Sequence, residues 1–161
     1  QKEGPYSAPQ KGIRLLVGGT GVKRNFPPPK PTHNSLSVGQ VFNLSMKGVE
    51  NHVTREHSAG SVLRYMMLNY GERDKLGRVD RLDPNLPSKT VIAGGSSGGG
   101  RSHLHPYIPR TLSVRECARI QTFPDDYIFK GPVARQFTQV GNAVPPVLGS
   151  QLGTAIFKSF F

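Results

Sequence analysis

One cysteine, Cys117, and no tryptophan occur in 161 residues. A lone thiol excludes an internal disulfide framework and any zinc site built on several cysteines, and it points to a reducing, intracellular setting: cytoplasm, or nucleoid in a prokaryote. No run of about 18 apolar residues is present, so no membrane-crossing helix is expected. Neither a signal peptide nor a basic amphipathic helix suited to a membrane surface is visible. Acidic residues are scarce, 10 against 21 Lys and Arg, which leaves a net charge of +11. The imbalance is greatest early: residues 1–49 hold seven basic residues and one acid, Glu3. Such a field attracts polyanions, nucleic acid foremost. Hydrophobic residues make up only 35%, beside 19 Gly and 14 Pro. That supports a thin core with much loop around it, in a chain expected to lean on a partner. The length corresponds to one domain or part of one, and the initial Gln suggests a fragment or a processed product.

Local patterns place the elements. IRLLVGG (13–19) reads as a short buried strand, and FPPPKP (26–31) as an extended surface segment. Residues 54–70 read as a helix capped by Thr54, with Val62, Leu63, Met66, Met67 and Tyr70 on its apolar face and Gly71 as its stop. TVIA (90–93) reads as a strand. GGSSGGG (94–100) is either a linker or a loop whose bare backbone approaches phosphates, with Arg101, His103 and His105 beside it. The two histidines lack an evident third ligand, so no metal is expected. In SVRECARIQTFP (113–124), Ser113 and Glu116 form a capping box, and Val114, Cys117, Ala118, Ile120 and Gln121 give one mixed apolar face. Cys117 on that side reads as a small buried thiol. After Asn142, Pro145 and Pro146 suit a first helical turn. A stripe of Val144, Val147, Leu148, Gln151, Leu152, Ala155 and Ile156 follows and needs a surface to pack on. Asn142 itself suits either an unusual backbone angle or a cap for that helix.

Two segments carry a resemblance. RTLSVRECARIQTFPDDYIFKG (110–131) resembles the ninth motif of the DNA cytosine-5 methyltransferases, and QVGNAVPP (139–146) resembles the tenth. Upstream, APQKGIRLLVGG (8–19) is similar to the eighth motif, Gln-x-Arg-x-Arg before a strand. FPPPKPTH (26–33) and RLDPNLPSKTVIAGG (81–95) resemble stretches that follow the eighth motif and precede the ninth. The resemblance implies the C-terminal portion of an α/β, Rossmann-like S-adenosylmethionine-dependent methyltransferase. Residues 1–34 would end the catalytic core, 35–131 form a loop-rich target-recognition region including the ninth motif, and 132–161 return to the catalytic domain by a C-terminal helix. The family flips a cytosine out of the duplex. A cysteine thiolate adds to C6 while a glutamate contacts N3, and C5 accepts the methyl group.

The family's Pro-Cys, Glu-Asn-Val and glycine-rich cofactor motifs do not occur here. The resemblance therefore implies no catalytic residue in this chain, inactivity alone, and a separate chain or segment bearing motifs I to VI. That fits the smaller subunit of a split enzyme, natural to a restriction–modification system, or a fragment. Asn142, Ala143 and Val144 match tenth-motif positions that line the cofactor site. Gln10 and Arg14 match the ends of the eighth-motif pattern and are expected to contact DNA; the family's arginines contact the flipped nucleotide and its phosphates, which implies that role for Arg14, the alternative being a solvated charge at the strand start. Gly12 replaces the first arginine and removes one cation from that pocket. Further contacts to double-stranded DNA are expected at Arg78, Arg81, Ser96, Ser97 and Arg101. Arg115, Glu116, Arg119 and Gln121 read as organisers that brace the recognition region. Two alternatives are a non-catalytic remnant that binds DNA or protein, and an RNA-directed relative.

Overall fold

The Ser113–Glu116 capping box does form, and the helix it starts lies at the centre of the fold. Ser113 Oγ accepts from the Glu116 N–H at 3.2 Å, and Glu116 Oε2 accepts from the Ser113 N–H at 2.7 Å. The computed structural model describes residues 36–76, 78–93 and 103–160. The expected 13–19 strand, the Pro-rich segment and the 94–100 loop lie outside them. In chain order, α1 spans Val38–Phe42 and α2 Ala59–Met67. Three short strands follow: β1 Arg73–Asp74, β2 Val79–Arg81 and β3 His103–Leu104. Then come α3 Val114–Ile120, α4 Val133–Asn142 and α5 Pro146–Phe160. The sheet order is β1-β2-β3, with β1 antiparallel and β3 parallel to β2.

The main core gathers Val38 from α1, Leu82, Val91 and Leu112 from loops, Val114, Cys117, Ala118 and Ile120 from α3, and Phe129, Phe137 and Val140 from around and within α4. Burial of each large apolar side chain here contributes about 1.5–3 kcal/mol. A smaller cluster of Tyr65, Val79 and Leu104 joins α2 to the sheet.

Several expectations need correction. The helix over 54–70 shrinks to α2, capped by Ser58 rather than Thr54: residues 53–57 take no regular secondary structure, and His57 is tied to Thr111. Its predicted apolar face points outward. Leu63, Met66, Met67 and Tyr70 are exposed, and Tyr65 is the buried member. TVIA takes no regular secondary structure and joins no ladder among the described residues. Its neighbour is α4, and Gly141 packs on the backbone of Ile92 and Ala93. No helix was expected over 133–142, yet α4 runs to Asn142, so the sharp turn is confined to residues 143–145. Finally, α3 buries every side, not one face, because its polar residues all carry their own partners.

Candidate functional site

Three charged residues of α3 are locked inside the protein. Arg115 is fully buried and donates to the carbonyls of Glu50 (2.9 Å), Pro124 (2.9 Å) and Tyr127 (2.6 Å). Arg119 donates through Nε and Nη2 to both oxygens of Asp125 (2.9 and 2.7 Å), and through its two Nη atoms to the carbonyls of Leu44 and Ser45. Glu116 accepts two bonds from Arg110, at 2.9 and 2.7 Å. These charge-assisted bonds fasten α3 to residues 44–51 and 124–127. Arg110 and Arg119 are thereby committed to carboxylates rather than aimed outward.

The electrostatics follow from those partners. Burial alone would raise the Glu116 carboxyl; the Arg110 bonds and the Ser113 N–H override it and hold the carboxyl below its ordinary range. Hydrogen bonding from Arg119 lowers Asp125 in the same sense. Burial pushes His105 down from 6.5 to about 4, against the attraction of Glu116 and with help from Arg110 and His52. Neutral His105 accepts at Nδ1 from the N–H groups of Tyr107 and Ile108. Cys117 is 0% exposed, and burial pushes its thiol up, away from the reactive thiolate.

Asn51 is a hub that the sequence reading missed. It sits in left-handed backbone (φ 63°). Its side-chain amide donates to Phe129 O and Gln136 Oε1, and its oxygen accepts from the Phe129 N–H and Arg115 Nη2. One Asn thus joins the loop before α2, α3 and the segment after it, and α4. Its left-handed tolerance was the available signal.

Among the expected DNA contacts, Gln10, Arg14, Ser96, Ser97 and Arg101, together with Gly12, lie outside the described residues. Arg78 is exposed in the β1–β2 turn at φ 52°, with no side-chain partner among the described residues. Arg81 is differently placed. Its guanidinium donates to Pro106 O (2.9 and 3.1 Å) and Leu68 O (2.7 Å), and it stacks 5.1 Å from the Tyr70 ring. Those bonds staple β2 to the ends of α2 and β3, so Arg81 has few donors left for a base edge.

Asn142, Ala143 and Val144 come together at the junction of α4 and α5. Asn142 ends α4 with ordinary helical backbone, and its exposed side chain makes no hydrogen bond among the described residues. Neither an unusual backbone angle nor a cap role accounts for it, because the α5 cap comes from Thr122, whose Oγ1 accepts from the Val147 N–H at 3.2 Å. Val144 is 54% exposed beside it. Along α5, Leu148 is buried while Ile156 and Phe157 are exposed, so the terminal stripe is not sealed within this chain's described core. Among the described residues, no cluster of His, Cys, Asp and Glu suits a metal ion, and no helix is long and apolar enough to cross a membrane.

A family model described as C-5 cytosine-specific DNA methylase matches residues 23–158. Type II methyltransferase M.NgoFVII of Neisseria gonorrhoeae is 45% identical over 180 residues, covering 96% of this chain and 48% of that protein. Type II methyltransferase M.PspPI of a Psychrobacter species is 32% identical over 181 residues, covering 95% and 43%. Type II methyltransferase M.AquIB of a Picosynechococcus species is 35% identical over 125 residues, covering 67% of this chain and 87% of that protein. A crystal structure described as a DNA modification methyltransferase encoded within an E. coli prophage aligns with a TM-score of 0.61 at 33% identity, over 69% of this chain and 29% of that one. The chain spans about half the length, or less, of M.NgoFVII and M.PspPI. The ninth- and tenth-motif segments fold onto a single core, and the family match runs through both: the chain belongs to the C-5 cytosine-specific DNA methylases.

Proposed function

We propose that this chain supplies DNA recognition and completes the cofactor site for methyl transfer from S-adenosylmethionine to C5 of cytosine in duplex DNA. The catalytic Cys and Glu come from a separate chain or segment. The observation that carries the proposal is the state of Cys117. It is the sequence's one cysteine, and in α3 it is fully buried with a raised pKa. A nucleophile must reach a base and ionise, and this thiol does neither. A member of this family built on such a chain needs its thiolate from elsewhere. The coverage of M.AquIB supports the reading, since that type II methyltransferase is largely spanned by the same portion.

The residues at the α4–α5 junction suit a nucleoside-like cofactor: an exposed amide on Asn142, unpartnered among the described residues, beside the exposed apolar Val144. Bound there, S-adenosylmethionine supplies an electrophilic methyl group. This chain's own part is to bind and orient. Asn142 can hydrogen-bond the cofactor, Val144 can cover an apolar face of it, and the exposed α5 residues Ile156 and Phe157 can pack on the catalytic portion. Arg78, exposed in the β1–β2 turn, is a candidate for DNA contact, with Gln10, Arg14, Ser96, Ser97 and Arg101 as further candidates. Arg81 is withdrawn by its structural bonds.

Complementation tests the reading. This chain, mixed with one carrying the Pro-Cys, Glu-Asn-Val and glycine-rich motifs, should methylate cytosine in duplex DNA, while each alone is inactive. Methyl transfer by this chain alone would overturn the division of labour. DNA binding with no transfer by the pair would favour the non-catalytic remnant, and transfer RNA in place of duplex DNA tests the RNA-directed alternative.

A further inference from the structure

The end of α3 carries a strained residue at a position where a glycine would serve better. Phe123 N–H donates to Ala118 O and Thr122 N–H to Arg119 O, both at 2.9 Å, closing the helix with a left-handed residue at the bend. Glycine is usual there, since it alone takes that backbone without a Cβ penalty. Here it is Thr122, at φ 65°. A β-branched residue in this region is an outlier, and such strain persists where surrounding contacts hold it, often at functional sites.

The side chains at this bend reach the next two helices. Thr122 Oγ1 accepts from the N–H of Val147, the second residue of α5, at 3.2 Å. None of the three residues before Val147 could do this, since Val144, Pro145 and Pro146 carry no side-chain acceptor. A residue 25 positions upstream therefore serves as the cap. Its neighbour Gln121, fully buried, donates through Nε2 to Val140 O at 3.1 Å, in the last turn of α4. Its Oε1 is buried without a partner among the described residues, so the amide is held there at some cost in desolvation. Gln121 thus grips the end of α4 and Thr122 the start of α5. Between the two grips lie Gly141, Asn142, Ala143 and Val144.

We infer that Gln121 and Thr122 are positioning residues that fix the Asn142–Val144 turn, so that the helix bracing the recognition region also sets the geometry of the cofactor site. The inference rests on the cofactor reading proposed above. Thr122→Gly tests it, because glycine relaxes the bend and deletes the hydroxyl together. If Thr122 merely ends α3, the variant is at least as stable and binds S-adenosylmethionine unchanged. If it fixes the turn, the Kd for S-adenosylmethionine, measured by calorimetry on this chain assembled with its catalytic portion, rises about five- to tenfold, the loss expected for one helix cap. The Kd for duplex DNA stays within about twofold. Thr122→Ser, which keeps the hydroxyl, restores cofactor affinity. Amide exchange at Val147, read in the same assembly without cofactor, accelerates in Thr122→Gly and not in Thr122→Ser. An unchanged cofactor Kd, or unchanged Val147 exchange, in Thr122→Gly overturns the inference. Failure of the wild-type assembly to methylate DNA would instead strike the proposed function, and both binding and exchange would still decide the role of Thr122.

Discussion

Gly141→Ala sets two opposing effects against each other, and the structure decides the sign. In an exposed helix interior, replacing Gly by Ala stabilises by about 0.8–1 kcal/mol, because alanine loses less backbone entropy. Gly141 lies in the last turn of α4. A Cβ there would lie 2.3 Å from the backbone N of Ala93, 2.4 Å from its Cα and 2.7 Å from the carbonyl carbon of Ile92. All three are backbone atoms and cannot swing aside. Ordinary carbon contacts are about 3.5–4.0 Å, so α4 or residues 92–93 must move by roughly 1 Å. That shift would loosen Val140, which is fully buried, and stretch the Gln121 Nε2–Val140 O bond. Overpacking of this kind costs about 1–3 kcal/mol, more when backbone must yield. The helix gain offsets only part of it, so a net loss of about 1–2 kcal/mol is expected. Urea unfolding of the variant and wild type measures it directly, as a lower midpoint at unchanged slope. An increase in stability, as at a free helix position, would refute the close approach of α4 to residues 92–93.

Arg115→Lys should destabilise by about 3–5 kcal/mol, since Arg115 reaches its three carbonyls from three separate nitrogens and the single ammonium nitrogen of lysine cannot span them, which leaves buried acceptors open; a loss below about 1 kcal/mol by thermal unfolding would contradict the Arg115 network. Asn142→Ala should weaken S-adenosylmethionine binding in the assembled enzyme by about tenfold, the worth of one hydrogen bond, with DNA affinity little altered; titration calorimetry reads both, and the reverse pattern would remove the cofactor assignment. Acid should lower stability in two pH windows. The depressed His105 contributes stability that is present above pH 6.5 and lost as pH falls toward about 4, because the unfolded chain takes the proton first. That loss is roughly 2 kcal/mol after solvent screening is allowed for. Glu116 and Asp125, also depressed, add stability that is lost at lower pH, below the ordinary carboxylate range. His105→Asn, which keeps an acceptor for the Tyr107 and Ile108 amides, should flatten only the first of these losses; an unchanged slope between pH 6.5 and 4 would show that His105 is not its source.

What was legible in the sequence was local chemistry and family pattern. The Ser113–Glu116 box started α3 because both partners lie within one turn. Pro146 opened α5 because its missing N–H has no role there. The ninth- and tenth-motif segments identified the family through the order and spacing of their residue types. The tertiary structure alone decided where the strong polar groups went. Arg115 and Arg119 find carbonyls 65 and 75 positions away, at Glu50 and Leu44, and no periodicity in α3 could announce them. The same holds for the outward face of α2, whose apolar spacing promised burial while Tyr65 took the inner position. It holds also for Thr122, a residue unsuited to its own backbone angle and kept useful by an amide 25 residues further along. Caps, prolines and hydrophobic spacing act over a turn or two of chain. The fate of a buried charge or a strained bend depends on which distant backbone groups arrive beside it, and that is settled only when the core closes.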